Sequence, residues 1–543
     1  MHMDIIRQRV RKGISVMAAE HDVDYDVVVI GSGMGGLSAA TRLAQAGRSV
    51  ALVEKNTWVG GYAHGFGQDG FHWDHGGHIF LAYRLGAQAR EVFQRLKLDE
   101  HVEMRPINQS FRCVFPADAL TIPGDITAAA DAFGQRFPHE RDGIRRIFLT
   151  MEALIDQVNQ FVPAFRVGNG RRHPLDPVFE QFQRRNVGRA LAVLPGVRRI
   201  PGGDLLRYQR KTFAELLDDN ISDPHLKAYF SMLSAGIGAG PETLSAVIAG
   251  VFFIHALRTM WLPLGGFGKL AQKTAALFEE RGGTLYLGDA VTRIVVDQGR
   301  AVGVETASGR LLRARAVISA ADGRTTLLKM IDPALLPPKL RAELPLMPLT
   351  PSIFQVHLGV DMDLTPYRDK VERLNFVYPH DDIERAMQHF PNGEYEKAAY
   401  FAYIATLHQS EMAPTGRHSM KLESYTTLRT KGIDWQRDAD TIARSFVQRT
   451  NALIPGLSEH IVTQAVRTPL DLAADTGNSE GAFAGWAFTP ELLSKERPQQ
   501  RTPVPGLYLA GHWTTPAAGV PWVMLSGFNT ANTVLNDLSR RTR

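Results

Sequence analysis

Residues 25–54 read YDVVVIGSGMGGLSAATRLAQAGRSVALVE. Tyr25–Ile30 is a nearly continuous apolar run, the pattern of a parallel strand buried on both faces. Gly31-Ser32-Gly33-Met34-Gly35-Gly36 follows at once. Residues 37–46 then read as a helix stopped by Gly47, and 49–53 as a second apolar strand ending at Glu54. In Gly31-x-Gly33-x-x-Gly36 the first glycine permits a tight turn, the second lets backbone approach a pyrophosphate, and the third lets helix pack close to strand. The helix N-terminus faces the phosphates with unpaired N–H groups and the positive end of its dipole. Glu54, about 20 residues beyond the fingerprint, falls where an acidic side chain accepts hydrogen bonds from an adenosine ribose. The complete order of strand, glycines, helix, strand and acid argues against a mere glycine turn and leaves FAD and NAD to be separated.

The next segment separates them. Residues 55–66, KNTWVGGYAHGF, place Gly60-Gly61 directly after the ribose strand, where backbone can pass a cofactor without an intervening side chain. This resembles the double-glycine motif of the FAD-dependent amine oxidase and phytoene desaturase superfamily. By that resemblance the fold is α/β, a Rossmann-like FAD-binding domain with a discontinuous substrate domain of mixed sheet and helices, and FAD is bound noncovalently. The resemblance recurs far along the chain. Trp261-Leu-Pro-Leu-Gly265-Gly266 resembles the mid-chain glycine motif, and Val291 falls where a strand backbone meets adenine. Residues 506–521, GLYLAGHWTTPAAGVP, followed by Ser526-Gly527-Phe528-Asn529, resemble the closing flavin motif of phytoene desaturases, carotenoid isomerases and retinol saturases. Thr468-Pro469 and Gly481-Ala-Phe-Ala-Gly485 match a pattern that precedes it. The cofactor set implied is Gly31, Ser32, Gly33, Met34, Gly35, Gly36, Glu54, Lys55, Gly60, Gly61, Tyr62, Val291, Gly511, Gly519 and Val520.

Relatives of this kind act on long apolar isoprenoids, removing hydrogen across a C–C bond, adding it across a C=C bond, or isomerising a polyene. Because the flavin carries the redox chemistry, few catalytic side chains are expected. His78, which matches a histidine of the retinol saturase branch, and His512 with Trp513, which follow the flavin strand directly, are the catalytic candidates. His72, His75 and His78 cluster in FHWDHGGHIF, residues 71–80, but adjacent glycines and the lack of a fourth ligand argue against zinc, and no metal is expected. Glu423, Tyr425, Asp471 and Asp475 carry no assigned role.

Bulk properties bound the reading. The chain has 543 residues, 44% of them hydrophobic, and divides into segments 1–24 (tail), 25–83, 261–325 and 501–543 (FAD-binding), and 84–260 and 326–500 (substrate). Residues 84–260 show amphipathic helical stretches at 87–96 and 143–158; 262–268 resume the nucleotide fold, leading to a helix ending at Glu280 and a meander in 283–318. Strands are expected at Ser352–Val360, 398–407, 420–425 and 506–510, and helices at 439–453 and 526–538. A net charge of +5, from 61 basic and 56 acidic residues, is too mild an excess to indicate nucleic acid. One cysteine, Cys113, forms no intrachain disulfide, reads as a small buried hydrophobe, and fits a cytoplasmic setting. The apolar run 244–257 falls short of the about 18 residues of a membrane span. The arginine-rich stretch 166–211 reads equally as a peripheral membrane-binding face or a solvated basic one. The partner expected is a hydrophobic small molecule, with the electron acceptor open. Two rivals stand: an amine oxidase on the same scaffold, against which Cys113 is badly placed for covalent flavin, and a non-catalytic prenyl-binding escort protein, against which the intact closing motif speaks.

Overall fold

The computed structural model describes all residues except 1–22, 78, 85–86, 108–109, 170–201, 259, 493–496, 517 and 542–543. The opening apolar run is the strand Tyr25–Ile30, paired in parallel with Val50–Val53 on one side and Leu311–Ser319 on the other. Thr284–Tyr286 extends the sheet past Val50–Val53, and Leu507–Leu509 pairs in parallel with the end of Leu311–Ser319, so both ends of the chain meet in one sheet. Val291–Asp297, Arg300–Thr306 and Leu311–Ser319 form the antiparallel meander.

Parallel neighbours need a crossover, and between the first two strands it is the helix Met34–Gln45. It begins before the expected residue 37 because Gly35 and Gly36 belong to its first turn, where close packing demands them. A Cβ on Gly36 would stand 1.9 Å from the Gly31 carbonyl oxygen, and one on Gly35 would stand 2.8 Å from Gly511 Cα. The closing helix is likewise longer than expected, Val520–Arg541. Pro521 falls in its first turn, where a missing N–H removes no intrahelical bond.

A second sheet runs in the order Ile461–Arg467, Ser352–Val360, His418–Thr426, Tyr400–Ile404, Leu374–Val377, Phe111–Val114, Ala119–Ile122. Ser352–Val360 is as expected, whereas 398–407 shortens to Tyr400–Ile404 and a 3-10 turn, Ala405–Leu407. The last two strands correct the helical reading of 84–260: Phe111–Val114 pairs in parallel with Leu374–Val377 and antiparallel with Ala119–Ile122. At four residues each they are too short for a period of two to register against noise. The helix expected at 439–453 is Trp435–Asn451, begun earlier by Asp434, whose side chain accepts from the Gln436 and Arg437 N–H groups.

Cys113 is fully buried in this sheet, and burial pushes its thiol pKa up. The apolar run 244–257 becomes the helix Ala246–Leu257, whose Gly250 lies against Met151 and Leu154 of the helix Arg141–Phe161. Among the described residues no helix is long and apolar enough to cross a membrane. Most of the arginine-rich stretch, and its proposed membrane role with it, lies outside the described residues.

Candidate functional site: a dinucleotide cleft meeting an apolar cavity

A cleft opens beyond the carboxyl ends of Tyr25–Ile30 and Val50–Val53, where open parallel sheets hold ligands. Gly31, Gly33, Met34 and Gly35 line it, with Glu54, Lys55, Gly60, Gly61 and Tyr62. Val291 from the meander and Gly511, His512, Gly519 and Val520 from the closing segment line it as well. Residues nominated from three distant stretches are thus brought to one cleft.

Ser32 and Gly36 are not in the lining; they act from behind. The Ser32 N–H and hydroxyl both donate to Glu54 Oε2 at 2.8 Å, and the Asn56 N–H donates to Glu54 Oε1 at 2.9 Å. A carboxylate offers about four lone-pair sites, so after these three bonds about one remains for a ribose hydroxyl. Gly33 caps the helix Met34–Gln45 without a side-chain hydrogen bond, leaving its first-turn N–H groups for a ligand. The Tyr62 hydroxyl donates to the Gly481 carbonyl at 3.2 Å, and burial raises its pKa.

Of the catalytic candidates, His78 lies outside the described residues. His512 lines the cleft; burial, then Arg497, lowers its pKa to about 4, so its imidazole is neutral near pH 7. Trp513 is a correction. It is 1% exposed, its indole N–H donates to Asn478 Oδ1 at 3.1 Å, and its ring stands edge-on to Trp486. The short turn Gly511–Trp513 directs successive side chains apart, His512 toward the cleft and Trp513 into the core. The cleft also has a wall that was not nominated, Asp475, Thr476, Asn478, Phe483 and Ala484. Its signal was the 481–485 pattern. Asp475 is paired with Arg467 at 2.7 Å, and Arg467 reaches His75 Nε2 at 3.4 Å. His75 is buried and His72 exposed, and among the described residues no group of three His, Cys, Asp or Glu could hold a metal.

A second cavity adjoins the cleft; Gly76, Phe483, Ala484, Ala518, Gly519 and Val520 line both. Its other walls come from the second sheet and from helices, including Phe111, Leu233, Val251, Phe376, Phe401 and Trp522. No Asp, Glu, Lys or Arg among the described residues lines it.

Residues 34–535 match the flavin containing amine oxidoreductase family, and the chain belongs to that family. It is 27% identical over 525 residues to the phytoene desaturase (lycopene-forming) of Pseudescherichia vulneris, covering 94% of this chain and 99% of the relative. It is 25% identical over 551 residues to the chloroplastic prolycopene isomerase of Daucus carota, covering 95% and 80%. It is 26% identical to the carotenoid 3,4-desaturase of Haloarcula japonica, covering 95% and 99%. Among solved structures, putrescine oxidase bound to putrescine matches with a TM-score of 0.63 at 16% identity, covering 95% and 99%. Cyclohexylamine oxidase of Brevibacterium oxydans matches with a TM-score of 0.61 at 17%, covering 95% and 100%. At these identities the two oxidases share the fold.

The protein is thus an FAD-dependent oxidoreductase of the group that includes carotenoid desaturases and isomerases. The cleft fits that cofactor on its own terms: uncapped helical N–H groups for pyrophosphate, a buried acceptor for ribose, and backbone free of side chains at Gly31 and Gly33.

Proposed function

We propose that this enzyme acts on carbon–carbon bonds of a hydrophobic unsaturated isoprenoid or polyene, by desaturation, saturation or isomerisation. The observation that carries the reading is the apolar cavity that joins the cofactor cleft at Gly519 and Val520. Bound FAD accepts or returns a hydride at its ring. The chain's part is to hold the cofactor through the Gly31–Gly36 turn, Glu54, Gly60, Gly61 and the Gly511–Val520 segment, and to present a dry channel for the hydrocarbon. A protonated amine entering that cavity would lose its hydration without meeting a counter-charge among the described residues, so the amine oxidase reading is the weaker. The names of the desaturase and isomerase relatives support the same substrate class.

The test is anaerobic incubation with candidate polyenes, using oxidised and dithionite-reduced protein, with flavin absorbance and product mass recorded. Bleaching with loss of two substrate hydrogens identifies a desaturase, and reoxidation with their gain a saturase. Unchanged mass with altered geometry identifies an isomerase. Flavin bleaching by amines alone overturns the proposal.

A further inference from the structure

The helix Ala246–Leu257, AVIAGVFFIHAL, is apolar at every position except His255. That side chain is 4% exposed and lines the apolar cavity, its ring centroid 5.6 Å from that of Trp522 in the same wall. His255 Nε2 is buried and has no hydrogen-bond partner among the described residues. The other titratable group in the lining among the described residues, Tyr425, is already engaged, donating its hydroxyl to the Gly236 carbonyl at 3.2 Å. An unpaired imidazole nitrogen in such a place costs folding free energy that a leucine would not. The cost is recovered when a molecule in the cavity brings the missing partner, and sites built this way discriminate strongly against analogues lacking it.

We propose that His255 Nε2 is a recognition subsite for one uncharged oxygen, a hydroxyl or carbonyl, on an otherwise hydrocarbon substrate. This rests on the reading of the cavity as the substrate chamber and narrows the substrate to an oxygenated polyene. Burial, with Arg258 and Arg84 nearby, lowers the His255 pKa to about 3. The ring is therefore neutral near pH 7, and its two tautomers accept from a hydroxyl or donate to a carbonyl.

The experiment titrates the FAD-loaded protein with two polyenes of equal length, a hydrocarbon and its hydroxylated counterpart. Binding is read from perturbation of the flavin spectrum and turnover from product mass. Wild type is expected to bind the hydroxylated polyene about tenfold more tightly. His255→Leu removes that preference by weakening the hydroxylated ligand alone, leaves hydrocarbon binding intact, and does not lower the Tm. His255→Gln, which keeps a donor and an acceptor, restores part of the preference and serves if the leucine variant fails to fold. Equal affinity of wild type for both ligands overturns the proposal, as does equal loss of both in His255→Leu, which would mark a packing role. If neither polyene binds or reacts while amines bleach the flavin, the hydrophobic-substrate reading fails and this subsite falls with it.

Discussion

Around the site, burial decides which side chains carry charge. Desolvation lowers His75 and His255 to about 3, and holds His357 well below its ordinary value. In the unfolded chain each regains a pKa near 6.5. Below that pH the unfolded state takes up protons that the folded state refuses, so stability falls as pH drops from about 6.5 toward 3. The loss is about 1.4 kcal/mol per pH unit for each such histidine. Urea midpoints measured between pH 7 and 4 should decline steadily, and His255→Leu should make the decline shallower. The glycines of the fingerprint divide just as clearly. A Cβ on Gly33 meets nothing within 4 Å, whereas one on Gly36 runs into the Gly31 carbonyl. Gly33→Ala should therefore fold with an unchanged apoprotein Tm yet retain less FAD, because its methyl projects where the pyrophosphate approaches. Gly36→Ala should lower the Tm itself.

Two helices act as one element in clamping the cleft. Met34–Gln45 and Val520–Arg541 touch backbone to backbone: a Cβ on Gly527 would stand 2.0 Å from the Gly35 carbonyl oxygen. Ser38 reinforces the contact by donating its hydroxyl to the Met524 carbonyl at 2.8 Å. Because Gly35 lines the cleft and the Gly511 N–H donates to the Ser526 hydroxyl at 3.1 Å, this spacing sets the distance between the fingerprint and the closing motif. Gly527→Leu should force the helices apart, costing roughly 1–3 kcal/mol or more by overpacking. Thermal unfolding reads the loss, and a fall in flavin content beyond that of a surface Leu346→Ala control shows the clamp opening. Leu346 suits the control because it is 82% exposed.

At the scale of the molecule the cofactor site exists only when distant segments assemble. Leu507–Leu509 completes the first sheet and leads directly into the Gly511–Val520 lining. A chain ending at residue 500 loses that strand, the closing helix and one side of the cleft. It should retain no flavin and show no Tm response to added FAD. The full chain should gain about 2.7 kcal/mol at FAD concentrations a hundredfold above its Kd, seen as a Tm that rises with FAD. The second sheet has the same dependence, since Phe111–Val114 reaches it from the segment read as helical.

What the sequence determined by itself was local and contiguous. The strand, glycines, helix and acid of residues 25–54 form one unit whose geometry follows from neighbours in the chain, and the double glycine and closing motif are likewise continuous strings. The FAD-dependent family was therefore legible in them. The tertiary structure decided what depends on pairing and packing across the chain: the strands Phe111–Val114 and Ala119–Ile122, the wall from Asp475 to Ala484, and the burial of Trp513 behind His512. It also decided the apolar cavity, whose lining comes from four strands of the second sheet and several helices. No linear pattern encodes such a space, because a residue's neighbours across it are set by how sheets and helices pack. His255 makes the point: in sequence it is one polar letter in an apolar helix, and only packing sets its Nε2, unpaired among the described residues, in an apolar chamber beside the cofactor cleft.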